Sequence, residues 1–154
     1  MMFRHHWVAP LSLVLALSIP AAEPGVKTQF VGGTVSGIEA RASARLDLTG
    51  QETLLFHCGK TALTIPYEKV NTVEYGQNVS RRYAAAILIS PVLLLSKSRK
   101  HFVTLGYVDI QGRQQALVIR VGKGDIRSVL TGLEARTGRR VEYQDSEARN
   151  AGKG

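Results

Sequence analysis

Short stretches in which apolar and polar residues alternate, each closed by a turn, confine this chain to a sheet-rich fold. Ile38, Ala40, Ala42, Ala44, Leu46 and Leu48 alternate with Glu39, Arg41, Ser43, Arg45 and Asp47. A strand sorts these residues into one apolar and one charged face, whereas a helix would spread the apolar set around its surface. Alternation therefore outweighs the helix propensity of the alanines. Thr49 to Glu52 reads as a turn into the strand Thr53 to Cys58, and Gly59-Lys60 turns the chain into Ala62 to Ile65. Pro66 lacks a backbone donor, so it ends a strand or sits on an edge, with a further strand over Val70 to Tyr75. Two more strands, His101 to Asp109 and Gln115 to Val121, flank a turn at Gln111-Gly112.

The clearest helix comes last. Asp125 stands at the N-cap position, Ile126, Val129, Leu130 and Leu133 follow at helical spacing, and Gly138 sits where a left-handed C-terminal residue is expected. Such an apolar stripe has to cover something, and the open end of a curved sheet is the natural partner. With 154 residues, of which 44% are hydrophobic, the chain can build one modest core.

Both termini read differently from this interior. Met1 to Ala22 has the layout of a cleavable signal peptide: a short leading region with Arg4, an apolar run from Leu11 to Ile19, then small residues. The run is too short for a bilayer crossing of about twenty residues. Residues 23–32 are expected as a flexible lead and 146–154 as a disordered tail, with the domain at 33–145. Removing residues 1–22 takes away Arg4 alone among the charged side chains, so the formal charge falls from +8 to +7. That excess favours anionic partners. Cys58 is the only cysteine, so an exported chain would have no internal disulfide and must rely on packing.

The order of six or seven short strands followed by one amphipathic helix resembles the pleckstrin-homology-like (PH-like) split barrel, including bacterial GRAM-like domains. Leu63 to Val70 with Val73 to Tyr75 resembles a strand pair of those domains, and Lys100 to Leu105 through Leu133 to Gly138 resembles their closing hairpin and helix. The resemblance implies a mainly β fold: a split β-barrel of antiparallel strands closed by one C-terminal helix. It implies no activity, because fold and function separate. Phosphoinositide-binding members carry a Lys- and Arg-rich pattern around their first strands, whereas Ile38 to Phe56 offers only Arg41 and Arg45.

One segment interrupts the sheet pattern. Residues 83–96 form an apolar insertion bracketed by Arg81 and Arg82 on one side and by Lys97, Arg99 and Lys100 on the other. As a helix it would span about 21 Å, short of the roughly 30 Å hydrocarbon core, and Pro91 would kink it. The expected contact with a membrane or anionic lipid therefore uses Ile87, Leu88, Val92, Leu93 and Leu94 at the apolar tip, with those five cations at headgroup level. Burial of the same segment inside the domain is the competing expectation. Contact with a protein partner, or with a second copy in a homo-oligomer, is a third.

No catalytic constellation emerges. His57 and Cys58 are neighbours on a strand and point to opposite faces, so they cannot share a proton directly. His57 and His101 lack nearby ligands at metal-binding spacing. Gly122-Lys-Gly124 precedes a helix without the remainder of a phosphate-binding loop. The pairs Glu39 with Asp47 and Glu134 with Glu142 read as exposed charges. The sequence pI of about 10.0 could suit nucleic acid, but only 6% of residues are aromatic and the leader points to export. The expectation is an exported, non-enzymatic binding or scaffolding module, periplasmic or secreted and peripheral on a membrane, with no cofactor and no metal.

Overall fold

The computed structural model describes residues 24–77 and 100–153. They form a mainly β structure: a single eight-stranded sheet with helices at the C-terminal end. The strands are β1 (Val26–Gly33), β2 (Ser43–Asp47), β3 (Thr53–Cys58), β4 (Thr61–Pro66), β5 (Val70–Gly76), β6 (His101–Val108), β7 (Gln114–Val121) and β8 (Glu142–Tyr143). The helices are α1 (Ile126–Thr137) and α2 (Ser146–Lys153).

Across the sheet the order is β4-β3-β2-β1-β7-β6-β5-β8. β4 and β5 are six strand spacings apart, about 29 Å if the sheet were flat. They are nevertheless consecutive in the chain, joined by the short 3-10 turn Tyr67–Lys69. Four Cα steps reach no more than about 15 Å, so the sheet has to curl. β4 and β5 are not hydrogen-bonded neighbours, and the curled sheet stays open between them.

β1 makes the curl possible. Val26 to Gln29 pair with β2, Thr28 to Gly33 pair with β7, and the register shifts between Phe30 and Gly32. An extra residue on one strand bends it and increases the local twist, letting one strand serve both halves of the sheet. Gly33 lies so close to β7 that a Cβ there would fall 2.6 Å from the Ala116 carbonyl oxygen.

The expected flexible lead at 23–32 is thus corrected, because most of it forms the central strand. Phe30 and Val31 are buried, and the bulge and Gly32-Gly33 hide the alternation that would have marked them. The long strand expected from Ile38 to Leu48 shortens to β2. Arg41 takes φ of 73°, and its N–H bonds to the Phe30 carbonyl oxygen, so the stretch before Ser43 is a loop folded onto β1. The strands expected at Thr53–Cys58, Ala62–Ile65, Val70–Tyr75, His101–Asp109 and Gln115–Val121 all appear within a residue or two at their ends.

The core fills the concave side. Leu46, Leu54, Phe56, Ile65, Val73, Tyr75, Leu105, Leu117 and Ile119 are buried there, and α1 adds Ile126, Val129, Leu130 and Leu133. These four are the stripe expected from sequence, and Gly138 ends the helix in the left-handed region. Asp125 occupies the N-cap place but makes no side-chain cap hydrogen bond. Arg136 fixes the far end by donating to the Gly50 carbonyl at 2.7 Å and lying over the Tyr67 ring.

Two features exceed the expected six or seven antiparallel strands and one helix. β8 adds a two-residue parallel strand beside β5. The tail expected as disordered is helical over Ser146–Lys153, with Ala148 seated in the core.

Candidate functional site

Most of the residues nominated for membrane contact fall outside the described residues: Arg81, Arg82, Ile87, Leu88, Val92, Leu93, Leu94, Lys97 and Arg99. Lys100 is described, half-buried immediately before β6. The fold nevertheless fixes where their segment attaches. Gly76 at the end of β5 pairs with Phe102 near the start of β6, so Gln77 and Lys100, the described residues on either side of 78–99, lie at the same end of one ladder.

Other cations gather at that end. His101 pairs with Val121 and Phe102 with Arg120, while Lys123 stands just past the end of β7. Arg120 donates from Nη1 to Gln29 Oε1 on β1 at 3.3 Å. Sequence reasoning singled out Lys100 but missed Arg120 and Lys123, because only the strand register brings β7 beside it.

His101 stands among these charges. A 2.6 Å hydrogen bond joins its Nδ1 to Tyr75 Oη, and the two rings lie stacked with centroids 6.0 Å apart. Burial lowers the imidazole pKa below its ordinary 6.5, and Lys123 and Arg120 lower it further. An unfolded chain would then bind a proton before the folded one as pH falls. His101 therefore contributes stability that is present above pH 6.5 and is lost as pH drops through the lower folded value. Urea midpoints across this range should fall more steeply for the parent than for His101→Gln. Equal slopes would show that the imidazole titrates as freely folded as unfolded.

The convex face of the same strands carries a second buried group. Phe102, Thr104, Ala116, Val118 and Glu74 are each no more than 7% exposed, yet they alternate with the core-facing residues Val103, Leu105, Leu117, Ile119 and Val73. Glu74 accepts a hydrogen bond from Gln144 Nε2 at 3.1 Å. The stripe of α1 packs on the opposite, core side.

Elsewhere among the described residues, several recesses are open to small groups. A polar hollow of 340 Å³ on the outside of β1 to β3 is lined by Lys27, Arg45 and His57, which face one another across the strands. A cleft of 530 Å³ lies where the sheet stays open, between the end of β4 and the β6–β7 hairpin. Its hairpin wall is a closed polar network: Asp109 accepts from Arg113 Nε and Gln115 Nε2, and Gln115 Oε1 accepts from Thr34 Oγ1.

Cys58 is a core residue, as its strand position implies, and burial raises its thiol above the usual range. His57 is exposed on the other side of the same strand. Glu134 Oε1 accepts from the Val141 N–H, a structural role. Among the described residues no group of three or more His, Cys, Asp or Glu converges, and no helix is long and apolar enough to cross a membrane. No protein-family model matches the chain, and no curated protein matches it.

Proposed function

We propose that the protein is an exported, non-enzymatic binding or scaffolding module of PH-like architecture that docks on an anionic membrane surface. The observation that carries this reading is the convergence of Lys100, Arg120 and Lys123 at the end of the ladder where residues 78–99 depart. Cations near anionic headgroups contribute about 1 kcal/mol each, and an apolar tip adds burial. Support for the PH-like reading comes from the strand order, from β1 shared between two halves of a curled sheet, and from the helix that follows β7. Support for export is the pattern of Met1 to Ala22.

A second reading is favoured by the buried convex face. Phe102, Ala116 and Val118 offer an apolar surface on the two strands that adjoin the segment's return point, so the insertion at 83–96 could pack on its own domain instead. The protein would then be a soluble partner-binding module. Co-sedimentation of the chain from Glu23 onward with anionic and neutral vesicles separates the two, beside a Leu93→Asp, Leu94→Asp variant. Membrane docking predicts that the parent pellets with anionic vesicles and the folded variant does not. A parent that stays in solution, with a variant that unfolds, would reject docking in favour of packing.

A further inference from the structure

His101 opens β6 on the core-facing side, opposite the buried Val121, at the end of the ladder where Lys100 lies. We infer that this imidazole makes docking on an anionic membrane proton-linked, so that docking takes up as much as one proton and strengthens as pH falls. The inference rests on the docking reading above and adds its regulation.

The neighbouring strands fix what faces the ring. Tyr75 on β5 meets Nδ1 through the 2.6 Å hydrogen bond and stacks on the imidazole, while Tyr143 on β8 lies edge-on to Tyr75 with centroids 6.0 Å apart. The Arg149 guanidinium on α2 lies over Tyr143, 5.9 Å from its ring centre. Tyr75 stays a neutral phenol, because burial and then Tyr143 raise its pKa above the usual 10. Glu74 and Glu142, the carboxylates next to these tyrosines, fall on the opposite face of the sheet because neighbours in a strand alternate. From β7 and its end come Arg120 and Lys123, and Lys100 adjoins His101 in sequence. Among the described residues, no carboxylate is one of the groups that shift the imidazole. Its charged surroundings are cationic.

A histidine held this way responds to whatever neutralises its neighbours. In the free protein burial, then Lys123 and Arg120, hold its pKa below 6.5. Burial acts on the ring in both states, so the difference between them comes from the charges. Lipid phosphates drawn to Lys123 and Arg120 cancel the repulsion those cations exert, and the negative potential of the bilayer attracts a proton in its own right. The imidazolium is therefore favoured in the docked state. By linkage, a group that holds its proton more tightly when docked tightens docking wherever it is protonated. Affinity then gains nothing well above the docked pKa, rises as pH falls between the docked and free values, and levels off below the free one. The contact with Tyr75 serves both states, because its Oη can donate to Nδ1 of the neutral ring and accept from the N–H of the charged one.

The test is partitioning of the chain from Glu23 onward, which contains every described residue, onto phosphatidylglycerol and phosphatidylcholine vesicles from about pH 8 to about pH 5, either side of the ordinary histidine value. The phosphodiester of phosphatidylglycerol stays ionised throughout. Affinity for the anionic vesicles should rise at least about threefold, the effect of the surface potential alone on one proton, and by no more than about tenfold per pH unit. His101→Gln should give a flat profile. His57→Gln, which changes the other histidine of this chain, should keep the profile of the parent. Should His101→Gln not fold, the imidazole carbon signals of the parent in bicelles of the same lipids decide, with a higher His101 midpoint expected in the anionic ones. A parent that docks with a flat profile, a profile that survives in folded His101→Gln, or a midpoint unmoved by anionic lipid overturns the inference and leaves docking intact. A parent that stays in solution at every pH rejects docking itself, and the inference with it.

Discussion

Phe56→Ala is expected to lower the unfolding free energy by about 3–5 kcal/mol, the usual cost of deleting a fully buried phenyl ring. Phe56 is completely buried at the middle of β3, directly between Leu46 on β2 and Leu63 on β4. Its ring lies 6.3 Å from that of Phe30, tilted by 46°, so it connects β3 to the bent central strand. A cavity here would be difficult to close, because strands border it on both sides and collapse would have to distort two ladders. Small domains are stable by only about 5–15 kcal/mol, so the loss consumes a large share of the total. In urea the midpoint should fall by at least about 1 M with the slope unchanged. A shift equivalent to less than about 1 kcal/mol would place the ring outside the core and undermine the curl of the sheet.

The second large effect concerns membrane docking. Replacing Arg81, Arg82, Lys97, Arg99 and Lys100 together by glutamine should reduce partitioning onto anionic vesicles by about 10³- to 10⁴-fold, from about 1 kcal/mol for each cation. High salt should weaken the parent in the same direction, since exposed charges are screened within about 3 Å at 1 M. The tertiary structure adds a finer expectation: Arg120→Gln and Lys123→Gln should each cost about fivefold, although β7 lies well away from the insertion in sequence. Unchanged binding by the five-cation variant would dismiss an electrostatic docking role. Unchanged binding by the β7 variants alone would confine that role to the insertion's own flanks.

Five strands were legible because their apolar residues fall in short runs closed by recognisable turns. Thr53–Cys58 is the clearest, with Gly59-Lys60 closing it. β1 was not legible. Its bulge breaks the alternation at Phe30 and Val31, and Lys27-Thr-Gln29 looks like solvent-exposed chain until pairing on both sides is known. The stretch before Ser43 erred in the opposite sense, because its alternation persists through residues that Arg41 turns into a loop. α2 was missed since its sequence is strongly polar; the burial of Ala148 against the core is a tertiary contact that composition does not announce.

By itself the sequence determined the class of fold, most strand boundaries, the buried stripe of α1 and its left-handed stop at Gly138, all of which depend on local periodicity and local backbone preference. Only the tertiary structure decided that β1 is central, that Arg120 and Lys123 join Lys100 at the end of the β5–β6 ladder, and that β4 ends the sheet. These depend on which strands pair and in what register. Register is a contest among residues distant in sequence, settled by the burial of a whole sheet face at once, and no window of neighbouring residues contains it.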